Sequence, residues 1–127
     1  MAEDGLESPR EGRTGLRRIW NAFLYSIDGI KAAFRHEDGF RQEAFLAVIL
    51  IPVALMLSVE GIGKAMMIAS ILLVLVVELL NSAVEATVDR ISLEHHRLAK
   101  RAKDIGSAAV FVSLVNVIVV WVLVLFG

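Results

Sequence analysis

The sequence predicts an all-α membrane protein in which an N-terminal amphipathic surface helix precedes three transmembrane helices. Two observations lead to this fold class. The chain of 127 residues is 57% hydrophobic, with a mean hydropathy of +0.68, which is too apolar for a soluble domain of this size. Its charges are also segregated, since residues 44–84 carry three and residues 107–127 carry none. This alternation is typical of a chain that crosses a bilayer several times.

The same composition excludes several classes of protein. A net charge of −1 provides no basic field for a nucleic acid, and the apolar content excludes a disordered chain. The absence of cysteine excludes disulfides and thiolate metal sites. The charged start of the chain lacks the apolar core of a signal peptide. The length fits one domain, and we expect a flexible tail over residues 1–13 and a membrane domain over residues 14–127.

The first predicted element is a helix over residues 14–36. Its apolar residues recur every three or four positions, which places them on one face, and polar residues fall largely on the other side. We expect this helix to lie in the membrane interface; the alternative is packing against other protein. The apolar face consists of Leu16, Ile19, Trp20, Phe23, Ile27, Ile30 and Phe34.

Three membrane spans follow, over about residues 40–59, 65–84 and 107–126. Each has close to the ~20 residues that a helix needs to cross a bilayer. Pro52 lies inside the first span, where we expect a tolerated kink. Arg41 lies at its start and is expected to extend towards the lipid headgroups.

The distribution of lysine and arginine predicts the orientation of the spans. The first 43 residues hold seven basic residues and the polar connection over residues 85–106 holds five, whereas a tight turn predicted at residues 60–64 holds one. Cytoplasmic segments carry the excess of basic residues. We therefore expect the N-terminus in the cytoplasm and the C-terminus on the opposite side.

A stripe of polar residues leaves the second span towards the polar connection. An ionisable residue inside a span costs about 2.5 kcal/mol or more, and is a candidate for function; a structural hydrogen bond or a buried protonated carboxyl is the alternative. Helical spacing places the whole set on one face, which favours function. The stripe consists of Glu78, Asn81, Ser82, Glu85 and Asp89.

The positions along this stripe suggest different roles for its carboxylates. Glu78 and Glu85 are about 10 Å apart along a helix axis, which argues against one metal ion held by both side by side. Glu85 is close to water, where it can meet a hydrated cation, and the deeper Glu78 is a candidate general base.

Lys103 and Asp104, before the third span, could hold phosphate and help to organise a cation. The histidines lack metal-site spacing, and no phosphate-binding glycine loop is present.

Four motifs resemble those of a known family, the small bacterial integral-membrane diacylglycerol kinases, in order and in spacing. The resemblance covers about residues 16–127. The motifs are Glu37 followed by Phe40-Arg-Gln-Glu43, then Glu78-Leu-Leu-Asn-Ser-Ala-Val-Glu85, then Asp89-Arg90-Ile91, and Lys100-Arg-Ala-Lys-Asp-Ile-Gly-Ser-Ala-Ala109.

The resemblance implies an ATP-dependent lipid kinase of the bacterial inner membrane, with a periplasmic or external C-terminus. Members transfer the γ-phosphoryl group of MgATP to diacylglycerol and form phosphatidic acid. They are homotrimers whose active sites are shared between neighbouring subunits. Mg²⁺ is therefore the expected cofactor, and ATP, diacylglycerol and membrane lipid are the expected partners.

The resemblance also implies roles for individual positions. Glu78 matches the general base, and Glu37 and Glu85 match the ligands of the divalent cations. Asn81, Ser82 and Asp89 are expected to support them. The positions implied in nucleotide binding are Arg18, Tyr25, Glu37, Glu85, Glu94, His95, His96, Lys103 and Asp104. The positions implied near the lipid substrate are Arg18, Glu43, Glu78, Ser107 and Trp121.

Two other functions are compatible with parts of the sequence. An undecaprenol kinase would share the fold and the chemistry but use another acceptor. A small channel or transporter subunit would use Glu78 on an ion path. In that case the polar stripe should continue across the bilayer, yet residues 68–77 contain only Ser70 as a polar residue. The sequence therefore favours the diacylglycerol kinase.

Overall fold

The computed structural model describes residues 14–91 and 97–127, which form four α-helices. They are α1 (Gly15–His36), α2 (Asp38–Met56), α3 (Gly61–Ile91) and α4 (Arg97–Phe126). The expected tail over residues 1–13 lies outside the described residues, as do Glu94, His95 and His96.

Helix α1 has the amphipathic character that its sequence predicts. Its apolar side chains remain open to the surroundings in the single chain, with Leu16 85% and Trp20 58% exposed. Trp20 stacks on Phe23 with ring centroids 5.5 Å apart. Near the end of the helix, Ala33 is buried. The helix thus meets the rest of the chain mainly at its C-terminal end, and its apolar face is left for lipid or for another protein surface.

Helices α2, α3 and α4 are long and apolar enough to cross a membrane. The 19 residues of α2 span about 28 Å, close to the thickness of the hydrocarbon core. Pro52 is accommodated inside this helix. The 31 residues of α3 and the 30 of α4 reach about 45 Å each, so their polar ends extend beyond the apolar layer.

The link between α2 and α3 differs from the predicted turn at residues 60–64. Helix α3 already begins at Gly61, and the backbone N–H of Lys64 donates to the carbonyl of Glu60 in helical register. The Nζ atom of Lys64 donates to the carbonyl of Leu55, 2.8 Å away, near the end of α2. Lys64 is therefore a helical residue that caps the preceding helix, and the link occupies residues 57–60.

Helix α3 is central and packs against both α2 and α4. Its buried face includes Met67, Ile71 and Val74, and small residues of α2, Ala47 and Ala54, are buried as well. Small side chains allow helices to approach closely inside a membrane. The packing of α3 between its neighbours fixes the direction in which its polar stripe points.

Three hydrogen bonds provide partners for polar side chains within the apolar layer. The hydroxyl groups of Ser70 and Ser113 are buried and donate to carbonyls of their own helices, Met67 and Val110, each 2.7 Å away. Trp121 on α4 donates from Nε1 to the carbonyl of Met67 on α3, 3.3 Å away. These hydrogen bonds satisfy the polar groups inside the helix pairs.

Candidate active site

Among the described residues, Glu78 is the one charged residue that is buried, with a relative exposure of 8%. It lies on the face of α3 that packs against the start of α2. There its carboxylate approaches Gly39 so closely that a Cβ atom at position 39 would lie 2.6 Å from Oε1. The carboxylate is thus held at the corner where α1 ends and α2 begins.

Three further carboxylates interact electrostatically with the Glu78 carboxylate. Glu37, Glu43 and Glu85 are all near enough to interact electrostatically with Glu78. Glu37 is the single residue between α1 and α2, Glu43 lies in α2, and Glu85 lies on the next turns of α3. These negative charges act on Glu78 together, and a cation bound nearby would reduce their repulsion.

Two polar residues of the stripe hold two of these carboxylates. The Ser82 hydroxyl donates to Oε1 of Glu37 at 3.3 Å, which ties α3 to the corner between α1 and α2. The Asn81 amide donates from Nδ2 to Oε2 of Glu85 at 3.4 Å. Such indirect contacts orient the carboxylates that would meet a cation.

The oxygen of the Asn81 amide lies against α4. It is buried and finds no hydrogen-bond partner in the described part of the chain. A Cβ atom at Gly106 would overlap it, so Asn81 fits only because position 106 carries no side chain. The amide is therefore clamped between Glu85 and the backbone of α4.

Lys103 and Asp104, which are both expected near phosphate, form ion pairs with different residues. Lys103 on α4 pairs with Asp89 on α3 at 2.7 Å, whereas Asp104 pairs with Lys100 one turn earlier at 2.7 Å. Adjacent residues point about 100° apart on a helix, which separates the two side chains. Lys103 nevertheless stands above the same polar stripe, next to Asp89.

A groove lies between α1 and α3 beside the carboxylates. Its volume is about 640 Å³, within the range of pockets for small molecules. Its polar lining comes from Ser26 and His36 on α1, from Glu37 at the corner and from Ser82 on α3. Glu37 is thus both part of the carboxylate cluster and part of a groove that a ligand can enter.

Other predicted site residues lie farther away within the single chain. Arg18 and Tyr25 on α1 are about 28 Å and 18 Å from Glu37 along the helix axis. Trp121 contacts the carbonyl of Met67, a point about 16 Å from Glu78 along α3. Ser107 is exposed and follows Gly106 directly. Within one chain, Arg18, Tyr25 and Trp121 therefore lie apart from the carboxylates, whereas Ser107 follows the glycine that lies against Asn81.

The donor set fits Mg²⁺ better than a transition metal. In residues 14–91 and 97–127, no group of three or more histidine or acidic side chains is placed to hold a metal ion by itself. Mg²⁺ is usually held by one or two carboxylates together with substrate phosphates and water. Glu37 and Glu85 provide hard oxygen ligands of this kind.

Three contributors to the site were missed in the sequence. Gly39 and Gly106 clear space for Glu78 and Asn81, and the Arg41 side chain donates to carbonyls at the end of α1. A glycine inside a helix lowers the stability of that helix by about 1 kcal/mol relative to alanine. Glycine at the helical positions 39 and 106 was therefore the sequence signal that these positions serve a packing or functional purpose. No sequence pattern revealed the contact of Arg41.

Comparisons with known proteins show the family to which this chain belongs. The sequence pattern of the prokaryotic diacylglycerol kinases matches residues 24–125. The chain is 58% identical over 120 residues to a diacylglycerol kinase of Pseudomonas aeruginosa, covering 94% of this chain and 98% of that protein. It is 43% identical over 114 residues to a diacylglycerol kinase of Escherichia coli K12, covering 90% and 93%. A Helicobacter pylori diacylglycerol kinase shares 39% over 107 residues, 84% of each chain. The chain therefore belongs to the prokaryotic diacylglycerol kinase family.

Proposed function

We propose that this enzyme, a diacylglycerol kinase of a bacterial membrane, transfers the γ-phosphoryl group of ATP to diacylglycerol and forms phosphatidic acid. The observation that carries the proposal is the placement of the buried Glu78 among three further carboxylates. A buried base beside a cation site is what transfer to a lipid hydroxyl requires, because the hydroxyl is a weak nucleophile until it loses its proton.

In the proposed reaction, the free hydroxyl of diacylglycerol attacks the γ-phosphorus atom. A bond forms between the hydroxyl oxygen and the γ-phosphorus, and the bond from that phosphorus to the bridging oxygen breaks. ADP leaves with this oxygen, and the Glu78 carboxylate accepts the hydroxyl proton. The close contact with Gly39 supports this role, because it restricts the positions that the carboxylate can adopt.

Glu37 and Glu85 are the proposed cation ligands. When bound with ATP, Mg²⁺ would neutralise the phosphate charge and orient the γ-phosphoryl group. Ser82 and Asn81 hold these two carboxylates, while Lys103 is placed by Asp89 to contact phosphate oxygens. The groove between α1 and α3 provides space for part of the nucleotide.

A homotrimer with shared sites accounts for the residues that one chain leaves apart. Arg18 and Tyr25 are proposed nucleotide contacts, yet they lie far along α1 from Glu37. A neighbouring copy could bring its own α1 to the site. The exposed apolar faces of the spanning helices leave room for such contacts. Glu43, Ser107 and Trp121 are the proposed lipid contacts. The proposed orientation places Glu43 and Ser107 towards the cytoplasm and Trp121 deeper along the helices.

The alternatives receive less support. An ion path would need polar groups across the whole apolar layer, but Ser70 and Ser113 bond to their own helices. The family match also favours diacylglycerol over undecaprenol as the acceptor.

The direct test is an acceptor assay with the purified protein in lipid nanodiscs. Equal amounts of diacylglycerol and undecaprenol are supplied in separate reactions with γ-³²P-labelled ATP, with and without Mg²⁺. We expect labelled phosphatidic acid that depends on Mg²⁺, and at least about tenfold less undecaprenyl phosphate, a discrimination of about 1.4 kcal/mol. Label found mainly in undecaprenyl phosphate, or in no lipid, would contradict the proposal.

A further inference from the structure

The sharp corner between α1 and α2 leaves helix-terminal groups to be satisfied. Glu37 alone separates the two helices, with an extended backbone of φ −119° and ψ 110°. Its N–H still donates to the carbonyl of Ala33 at 2.9 Å. The carbonyls that follow in α1 lose their helical partners at this corner, and unpaired carbonyls at a helix end are costly away from water.

The side chain of Arg41 supplies the missing donors. Its Nη1 atom donates to the carbonyl of Phe34 at 2.8 Å and to that of Arg35 at 3.0 Å. Its Nη2 atom pairs with the carboxylate of Asp38. A guanidinium fork is suited to several acceptors at once, and a positive charge is favourable at a helix C-terminus. An α2 residue therefore caps α1.

The same residue is attached to Glu37 through the backbone. The N–H of Arg41 donates to the carbonyl of Glu37 at 3.2 Å. Arg41 thus holds both sides of the corner, the end of α1 through its side chain and Glu37 through its main chain. Opening the corner would break the two hydrogen bonds that the Arg41 side chain donates to α1, because these are the bonds that join the two helices.

We infer that Arg41 is a positioning residue, which fixes the corner so that Glu37 presents its carboxylate to the metal–nucleotide. This inference rests on the proposed function, in which Glu37 is a cation ligand. The Glu37 carboxylate is held from the other side by the Ser82 hydroxyl. With both its backbone and its carboxylate held, the ligand is oriented before the cation binds, which raises affinity.

The test separates metal binding from lipid binding. Arg41→Gln and Arg41→Lys are compared with Arg35→Gln, which removes a nearby exposed charge without removing a cap. Mn²⁺ binding in the presence of a non-hydrolysable ATP analogue is measured by electron paramagnetic resonance, and KM for diacylglycerol is measured in nanodiscs. We expect about tenfold weaker Mn²⁺ binding in both Arg41 variants, because lysine restores the charge but not the fork. KM for diacylglycerol should change less than about twofold in both, and Arg35→Gln should match the wild type.

Several results would overturn the inference. Unchanged Mn²⁺ affinity with a raised KM for diacylglycerol would make Arg41 a lipid contact. If both Arg41 variants fail to fold, Asp38→Ala decides, because it removes one acceptor of the guanidinium and leaves the two carbonyl acceptors of α1 in place. It should weaken Mn²⁺ binding by about two- to fivefold, and no change would overturn the inference. Glu37→Gln is measured in parallel, and unchanged Mn²⁺ affinity there would refute the proposed metal role itself.

Discussion

The carboxylate of Glu78 lies directly against the backbone of Gly39, so that a Cβ atom at position 39 would be 2.6 Å from Oε1. This contact joins the middle helix of the chain to the first turn of α2. It places the proposed base at the same corner as Glu37 and Glu43, whose charges act on it. The spacing between Glu78 and Glu37 is therefore set by how closely α2 approaches α3, whereas helix α3 itself sets the spacing between Glu78 and Glu85.

Replacing Gly39 with a larger residue tests whether this close approach positions the Glu78 carboxylate for the reaction. In Gly39→Val, the Glu78 side chain must turn away, because its carboxylate is flexible while the helix backbone is not. A displacement of about 1 Å at a reacting group can cost up to 100-fold in rate. We expect kcat to fall at least tenfold, measured with saturating diacylglycerol and ATP.

The matched control for this substitution is Gly61→Val at the start of α3, where an added Cβ atom meets nothing within 4 Å. Gly61→Val should keep its kcat, and both variants should melt within a few degrees of the wild type. A Gly39→Val protein with normal kcat would show that the contact does not position Glu78.

Gly106→Ala tests whether the space at position 106 keeps the Asn81 amide in contact with Glu85. The new methyl group would overlap the amide oxygen, displacing Asn81 from its contact with Glu85. Loss of such an indirect contact typically weakens metal binding 10- to 100-fold, so KM for MgATP should rise about tenfold or more. The check is a double-mutant cycle with Asn81→Ala. Because both changes act through one side chain, their effects should not add, and fully additive effects would contradict this coupling.

Ser82→Ala removes the hydroxyl that donates to Glu37. A hydrogen bond contributes about 0.5–1.5 kcal/mol, and the long 3.3 Å separation keeps this bond within that range despite its charged acceptor. The Mg²⁺ concentration for half-maximal activity should therefore rise about three- to tenfold. Thr87→Ala is the control, since that hydroxyl donates only to the carbonyl of Ala83 in its own helix. Equal Mg²⁺ requirements in the two variants would exclude a role for Ser82 in orienting Glu37.

The apolar pattern was sufficient to predict the helices, because each has a face or a length that the bilayer requires. Helical spacing likewise predicted that Glu78, Asn81 and Ser82 share a face. The start of α3 was not predicted, because Gly61 and Gly63 resemble turn residues, although Gly63 fits against Val59 and Val124. The caps by Arg41 and Lys64 depend on how neighbouring helices end, which periodicity does not encode.

The ion pairs show the same difference between contacts that spacing predicts and contacts that depend on packing. Lys103 and Asp104 are neighbours in the sequence, yet the helix directs Lys103 towards Asp89 on another element. Contacts within one helix face can be derived from spacing. Contacts between helices depend on the distance and rotation between their axes, which only the packed chain defines.

The central claim, that Glu78 takes the proton from the lipid hydroxyl, is tested most directly by single-turnover phosphoryl transfer in Glu78→Gln. The glutamine keeps the size of the side chain but cannot accept a proton. Glu60→Gln, an exposed position on the opposite link, serves as the control, and MnATP binding is measured on the same samples. We predict at least a 100-fold slower transfer in Glu78→Gln with MnATP affinity preserved and Glu60→Gln unaffected. A Glu78→Gln protein that transfers phosphate to diacylglycerol at the wild-type rate would contradict the account.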